Sequence, residues 1–305
     1  MINLQGKNIL VTGGTGFIGK PLCQKMLQSG ATVFVLTRSG RRTSSDRLSY
    51  ISALSNLAGT TPDIIINLAG EPIAQRWTKT AKDRIWKSRI EMTAALIDYI
   101  KSSPKKPSLF ISASAIGYYG TDEKKAFSES TAPNQGGGVF SQGLCAAWEN
   151  EAVKAQSYGV RTVLLRIGAV LGNEGGIISK LLLPFRLGLG GAISHGQQWF
   201  SWIDREDLIG LILHIIATPL IAGPINATAP NPVSNLAFSR ALAAALHRPC
   251  FLNTPAFVLR LAFGDMADEI MLEGQQVIPQ KAIESGYVYL YPTIDSSLQN
   301  CLKKR

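Results

Sequence analysis

Val11-Thr12-Gly13-Gly14-Thr15-Gly16-Phe17-Ile18-Gly19 closes an apolar run, Asn8-Ile9-Leu10-Val11, and opens a stretch of helical character. Glycine is required in such a turn for three physical reasons. The backbone must bend sharply from strand to helix, it must approach a pyrophosphate closely, and the helix must pack back against the strand. The phosphates then meet the first N–H groups of the helix and the positive end of its dipole. The stretch therefore predicts a dinucleotide site in which Gly13, Thr15, Gly16, Phe17, Ile18 and Gly19 face the cofactor.

Working outward, the next strand candidate, Thr32–Leu36, selects the cofactor. An acid at its end would bond a ribose 2′-hydroxyl; here it ends in Thr37-Arg38, with Arg41 and Arg42 close behind. A guanidinium pairs a 2′-phosphate bidentately, so Thr37 and Arg38 point to NADP(H). Asn67-Leu68-Ala69-Gly70 follows the strand candidate Ile64–Leu68, and by position it lines the cofactor cleft.

Further strand candidates are Leu109–Ser112 and Thr162–Ile167. Their alternation with helical stretches predicts an α/β fold, a doubly wound parallel sheet with helices on both faces. The clearest helix carries Trp86, Ile90, Thr93, Ile97 and Ile100 on one stripe and stops at Ser102-Ser103-Pro104. That stripe packs on the sheet; the outer side of the helix is open to homodimerisation. After Ile167 glycine and proline become frequent, as in Leu183-Pro184-Phe185-Arg186-Leu187-Gly188. Helices are expected at Asp207–Ala217, Asn235–Leu246 and Pro255–Phe263, with a strand at Pro224–Ala227. The expected division is a nucleotide-binding domain over 1–170 and a smaller α+β lobe over 171–305. Residues 203–228 of that lobe return to the sheet.

The 305 residues carry a net charge of +10, but the basic residues are scattered apart from the Arg38 cluster and Lys303-Lys304-Arg305. No nucleic-acid partner is expected. The greasiest stretch, Leu208 to Ala217, is too short to span a bilayer, so no membrane partner is expected either. Met1 to Lys7 runs straight into a strand, which reads as a cytoplasmic chain without a signal peptide. Cys23, Cys145, Cys250 and Cys301 show no metal-type spacing, and no metal is expected.

The chain resembles the atypical short-chain dehydrogenase/reductases of the "epimerase family protein" group, which carry a characteristic C-terminal domain. The matching blocks include Asn67 to Ala74 with Arg76-Trp77-Thr78, and Ser114-Ala115-Ile116-Gly117-Tyr118-Tyr119-Gly120. Others are Leu165 to Leu171, Pro184 to Gly191, Ser201-Trp202-Ile203, Leu246 to Pro249, Leu272 to Gln275 and Val277-Ile278-Pro279. The resemblance covers nearly the whole length. It implies a Rossmann-type fold with NADP-type binding; the "epimerase" label is inherited from sugar-nucleotide epimerases. Asp204 stands where the group commonly has a histidine.

Ordinary members of the wider family use a Tyr-x-x-x-Lys pair, in which the lysine lowers the pKa of a proton-transferring tyrosine. None of the eight tyrosines here has a lysine four residues later. Counting back from Trp148-Glu149 puts Ser141 at the tyrosine position and Cys145 at the lysine position, while Arg89 stands for the usual asparagine. Ser114, at a strand end, remains as a donor to a substrate oxygen, and Tyr118 and Tyr119 follow it into the cleft as replacement acid/base candidates. Glu71, Arg76, Trp77, Arg186 and Trp202 are candidates to hold a small anionic metabolite, by charge or by stacking. Two functions fit: an NADP(H)-dependent oxidoreductase or epimerase acting on that substrate, or a non-catalytic NADP(H)-binding regulator or scaffold for which the small molecule is an effector.

Overall fold

The computed structural model describes residues 2–38, 45–57, 59–134 and 139–303. Seven strands form one parallel sheet: β1 (Asn8–Thr12), β2 (Thr32–Leu36), β3 (Leu48–Ile51), β4 (Ile64–Asn67), β5 (Leu109–Ala115), β6 (Arg161–Ile167) and β7 (Gly223–Ala227). Their spatial order is β7-β6-β5-β4-β1-β2-β3, so the chain runs outward in one direction after β1 and in the other from β4. That reversal opens a crevice at the carboxyl ends of β1 and β4, where doubly wound sheets bind ligands.

The sheet is covered on both faces, as the continuous apolar strands require. Ile9, Val11, Ile64 and Ile66 point to one side, against Leu22 and Met26 of α1 (Gly19–Gln28). Leu10, Ile65 and Phe110 point to the other, against Leu96, Ile97 and Ile100 of α2 (Lys79–Ser102). Thr78 caps α2 by accepting from the Ala81 amide, and the helix stops at the Ser-Ser-Pro breaker. Thr93, Ile97 and Ile100 of the expected stripe are buried, and only the first turns differ. Ile85 and Arg89 go inside, and Trp86 is left 38% exposed. A cation on the core side therefore lies beside the crevice.

α3 (Phe140–Ala152) precedes β6. Beyond β6 the chain forms α4 (Gly176–Arg186), where the glycine- and proline-rich text reads as irregular. Its Ile178 and Phe185 pack with Phe238 and Leu242 of α6 (Asn235–Ala245), around Trp202. Between them α5 (Arg205–Ala217) and β7 go back to the sheet, β7 pairing with β6. α7 (Ala256–Phe263) follows α6. The pair Gln275–Val277 with Asp122–Phe127 stitches the C-terminal part onto the segment after β5. No helix among the described residues is long and apolar enough to cross a membrane.

Candidate functional site

The glycine turn sits at the crevice. Gly13 has φ +70°, and a Cβ there would stand 2.6 Å from the Leu68 carbonyl oxygen. A Cβ on Gly19 would stand 2.7 Å from the Gly14 Cα, so the first turn of α1 closes on the loop only with glycine. No side chain caps α1 at Ile18, and its first turn carries no acid. An uncapped helix start with no negative charge fits a diphosphate. Thr15 is half-buried and Gly16 exposed in the same turn. The Phe17 ring faces elsewhere. It packs against Gly172, Gly175 and Gly176 at the head of α4, with the Arg205 guanidinium 4.8 Å from its centroid.

Thr37 and Arg38 follow β2, with the Arg38 side chain exposed. Arg41 and Arg42 lie outside the described residues. The Asn67–Gly70 loop runs against Gly13, and its position is set from below. Thr12 donates to Asn67 (2.6 Å), Asn67 donates to Thr93 (2.9 Å), and the Ala69 amide donates to Thr12 (3.1 Å). Trp148 adds a fourth bond, to Thr93. The Asn67 side chain is fully buried, which corrects its expected role: it braces the loop, while Leu68, Ala69 and Gly70 carry the surface.

The corner that holds Ser114, Tyr118 and Tyr119 is built from β5, α3 and β6. Arg166 makes a two-pronged pair with Glu149, Nε to Oε1 and Nη2 to Oε2, both 2.8 Å, and both side chains are buried. The Ser114 hydroxyl donates to the same Oε1 at 2.7 Å. Tyr119 is fully buried; its hydroxyl accepts from Arg166 Nη1 (2.9 Å) and donates to Asn226 (2.8 Å). Burial pushes the Tyr119 phenol up, against the pull of Arg166. Burial pulls the Arg166 guanidinium down, but its bonds to Glu149 outweigh that and hold it above its usual value. These bonds correct two expectations: Ser114 and Tyr119 are tied to internal partners and do not present their hydroxyls to the crevice. Tyr118 differs. It is half-buried, with its ring 3.6 Å from the Arg166 guanidinium carbon and at right angles to Tyr119.

Ser141 and Cys145 both lie against Gly117. Burial, with the Glu149 charge, pushes the Cys145 thiol up to about 12, so it supplies no charge at neutral pH. Arg89 reaches this corner from α2. A Cβ on Gly70 would stand 2.9 Å from its guanidinium carbon, and its Nη1 donates to the carbonyls of Glu71 (3.1 Å) and Ile85 (3.2 Å). Burial pulls it down to about 10, opposed by the Glu71 carboxylate. One contact here has no signal in local sequence. Glu269, far along the chain, accepts from the amides of Phe140 and Ser141 and caps α3. The Glu149–Arg166 pair did leave a trace, since a charge inside the apolar run Thr162–Ile167 demands a buried partner.

Three of the five substrate candidates, Glu71, Arg76 and Trp77, share the loop after Gly70, while Arg186 and Trp202 stand on the C-terminal part. Glu71 is half-buried and 3.7 Å from Arg84; Arg76 is exposed on the same loop. Trp77 is 5% exposed, edge-on to Phe140 with its indole donating to Ile73, which corrects the stacking role expected of it. Trp202 is likewise enclosed and donates to Asn231. Arg186 is exposed at the far end of α4, about 15 Å from the helix start that meets Phe17. Asp204 is buried as the cap of α5 and accepts from Ser297. Among the described residues no group of three or more His, Cys, Asp or Glu is arranged to hold a metal.

The model of the NAD dependent epimerase/dehydratase family matches residues 9–226, and a domain of unknown function (DUF1731) matches residues 254–301. The epimerase family protein YfhF of Bacillus subtilis (strain 168) is 37% identical over 305 residues, covering 98% of this chain and 99% of that one. The chloroplastic epimerase family protein SDR39U1 homolog of Arabidopsis thaliana is 37% identical, covering 95% and 85%. The crystal structure of the human epimerase family protein SDR39U1 (isoform 2) with NADPH superposes with a TM-score of 0.86 at 32% identity, covering 96% and 98%.

Proposed function

We infer the function of this chain from its membership: it belongs to the NAD dependent epimerase/dehydratase family. It binds NADP(H) at the β1–α1 turn. The observation that carries this reading is the uncapped, acid-free start of α1 behind Gly13, with Arg38 after β2 where an acid would select the unphosphorylated cofactor. The human relative crystallised with NADPH supports it. Phosphates rest on the amides from Gly13 to Gly19, Leu68 to Gly70 flank the ribose, and Arg38 pairs the 2′-phosphate. Isothermal calorimetry tests the assignment: NADPH binds more tightly than NADH, and equal affinity for both would overturn it.

The catalytic reading is an oxidoreductase or epimerase for a small, anionic metabolite. The bound nicotinamide supplies or accepts a hydride. Tyr118 then holds the proton at its phenolic oxygen, because the hydroxyls of Ser114 and Tyr119 are engaged with Glu149, Arg166 and Asn226. The Arg166 cation against the Tyr118 ring fixes that ring in place. Arg76, exposed on the loop after Gly70, is the cation for the substrate anion. A metabolite extract that oxidises NADPH, with turnover falling about 100-fold or more in Tyr118→Phe, is the expected result.

One observation favours a second reading. The engagement of the Ser114 and Tyr119 hydroxyl protons in internal bonds suits a cofactor-binding regulator that performs no turnover. That reading predicts NADPH binding with no oxidation by any extract fraction, and a partner released by NADPH.

A further inference from the structure

Two segments of the C-terminal part lie together and leave their apolar side chains in the open. Arg248 donates to the Arg186 carbonyl (2.8 Å), and the Thr254 amide donates to Ala192 (2.9 Å). Pro249 lies against Gly188 and Leu252 against Gly191. Across this joint stand Leu183, Leu187, Leu189, Phe251, Phe257 and Leu261, each between 56% and 72% exposed. The two segments hold eight of the fourteen large apolar side chains that are most exposed among the described residues. α7 is the extreme case. Seven of its eight residues are apolar, yet only Leu259 is buried. A helix apolar on every side normally lies within a core or a lipid phase.

Along these two segments the charge has one sign. No Asp or Glu occurs from Gly175 to Ile203 or from Leu208 to Gly264, whereas Lys180, Arg186, Arg240, Arg248 and Arg260 do. The next acids along the chain, Asp265 and Asp268, are paired with Lys82 and Arg260. A second copy of the chain would bring the same cations against each other, so the face is not complementary to itself.

We propose that this face docks on an anionic lipid surface, with Leu187, Phe251, Phe257 and Leu261 entering the boundary between headgroups and acyl chains and Arg186 and Arg248 meeting the lipid phosphates. Apolar insertion and basic attraction are the two signals that stable peripheral binding needs. The association is peripheral and independent of the catalytic reading.

Co-sedimentation of the full chain with vesicles tests it. Binding to phosphatidylcholine vesicles containing phosphatidylglycerol, little binding to pure phosphatidylcholine, and release by salt are expected. Phe257→Ser/Leu261→Ser lowers the partition about tenfold with NADPH affinity unchanged. Arg248→Glu, a second variant, lowers binding to the anionic vesicles alone. Three results would overturn the proposal: no preference for anionic vesicles, full retention by the Phe257/Leu261 variant, or concentration-dependent dimerisation abolished by that variant. The last would make a second copy the occupant of the face.

Discussion

At the phosphate end of the crevice the backbone makes the site, and at the other end, which is the reaction end of the proposed catalytic reading, side chains make it. Gly13 and Gly19 act by lacking a Cβ, α1 acts through uncapped amides, and Arg38 stands exposed after β2. Around β5, α3 and β6 the opposite holds: Ser114, Glu149, Arg166, Tyr119 and Asn226 form a buried set of mutual bonds. The contrast teaches that a nucleotide fold keeps its cofactor machinery through geometry. Its reactive corner can be rebuilt around a structural ion pair.

The widest gap between the two ends is expected in stability. Glu149→Ala leaves Arg166 buried without its partner and costs about 3–5 kcal/mol in urea unfolding. Replacing both by apolar residues of similar volume, Glu149→Leu/Arg166→Met, recovers most of that loss. If the single change is mild, the reaction end is not the closed network described.

Gly13→Ala attacks the other end. A left-handed φ costs about 1–2 kcal/mol in a residue with a side chain, and here the Cβ also meets Leu68. NADPH affinity falls roughly 100-fold by calorimetry, with the ion-pair network intact. Arg38→Ala has a smaller effect, lowering NADPH affinity about tenfold while leaving NADH affinity as it was. The smallest signal is chemical. Burial pushes the thiols of Cys23, Cys145 and Cys301 up to about 12, so they stay protonated and enclosed at pH 8. Alkylation of the native protein at that pH is confined to Cys250, which is only partly buried. Mass spectrometry of the labelled peptides checks this, and modified Cys145 would mean that the reaction end opens.

How far each end can be read from sequence follows from the range of its interactions. The strands of the sheet and the glycine turn declare themselves within ten residues, by apolar run and by spacing. α2 is legible as a helix that buries Thr93, Ile97 and Ile100, but near its start Trp86 outranks Arg89 on any scale that ignores long-range partners. Arg89 is buried since its guanidinium finds the Glu71 carbonyl, a fact set by the loop after β4. In the same way, Ser114 keeps its strand-end position while its bond to Glu149 spans 35 residues. Trp77 and Trp202 look like stacking platforms until tertiary packing encloses them. α4 was obscured by Pro184 and the surrounding glycines, although Ile178 and Phe185 share a face seven residues apart.

β7 has a consequence for how the chain can be divided. It is the last strand of the seven-stranded sheet to be made and the only one of those seven that comes after α4, yet it covers the outer edge of β6. A chain ended before Gly223 would leave Arg161–Ile167 with a row of unpaired N–H and C=O groups, a template for joining other chains. Aggregation, not a free-standing nucleotide domain, is the fate of such a fragment. The two halves are therefore expected to unfold together, since the edge of the nucleotide-binding sheet is completed by a strand that follows α4.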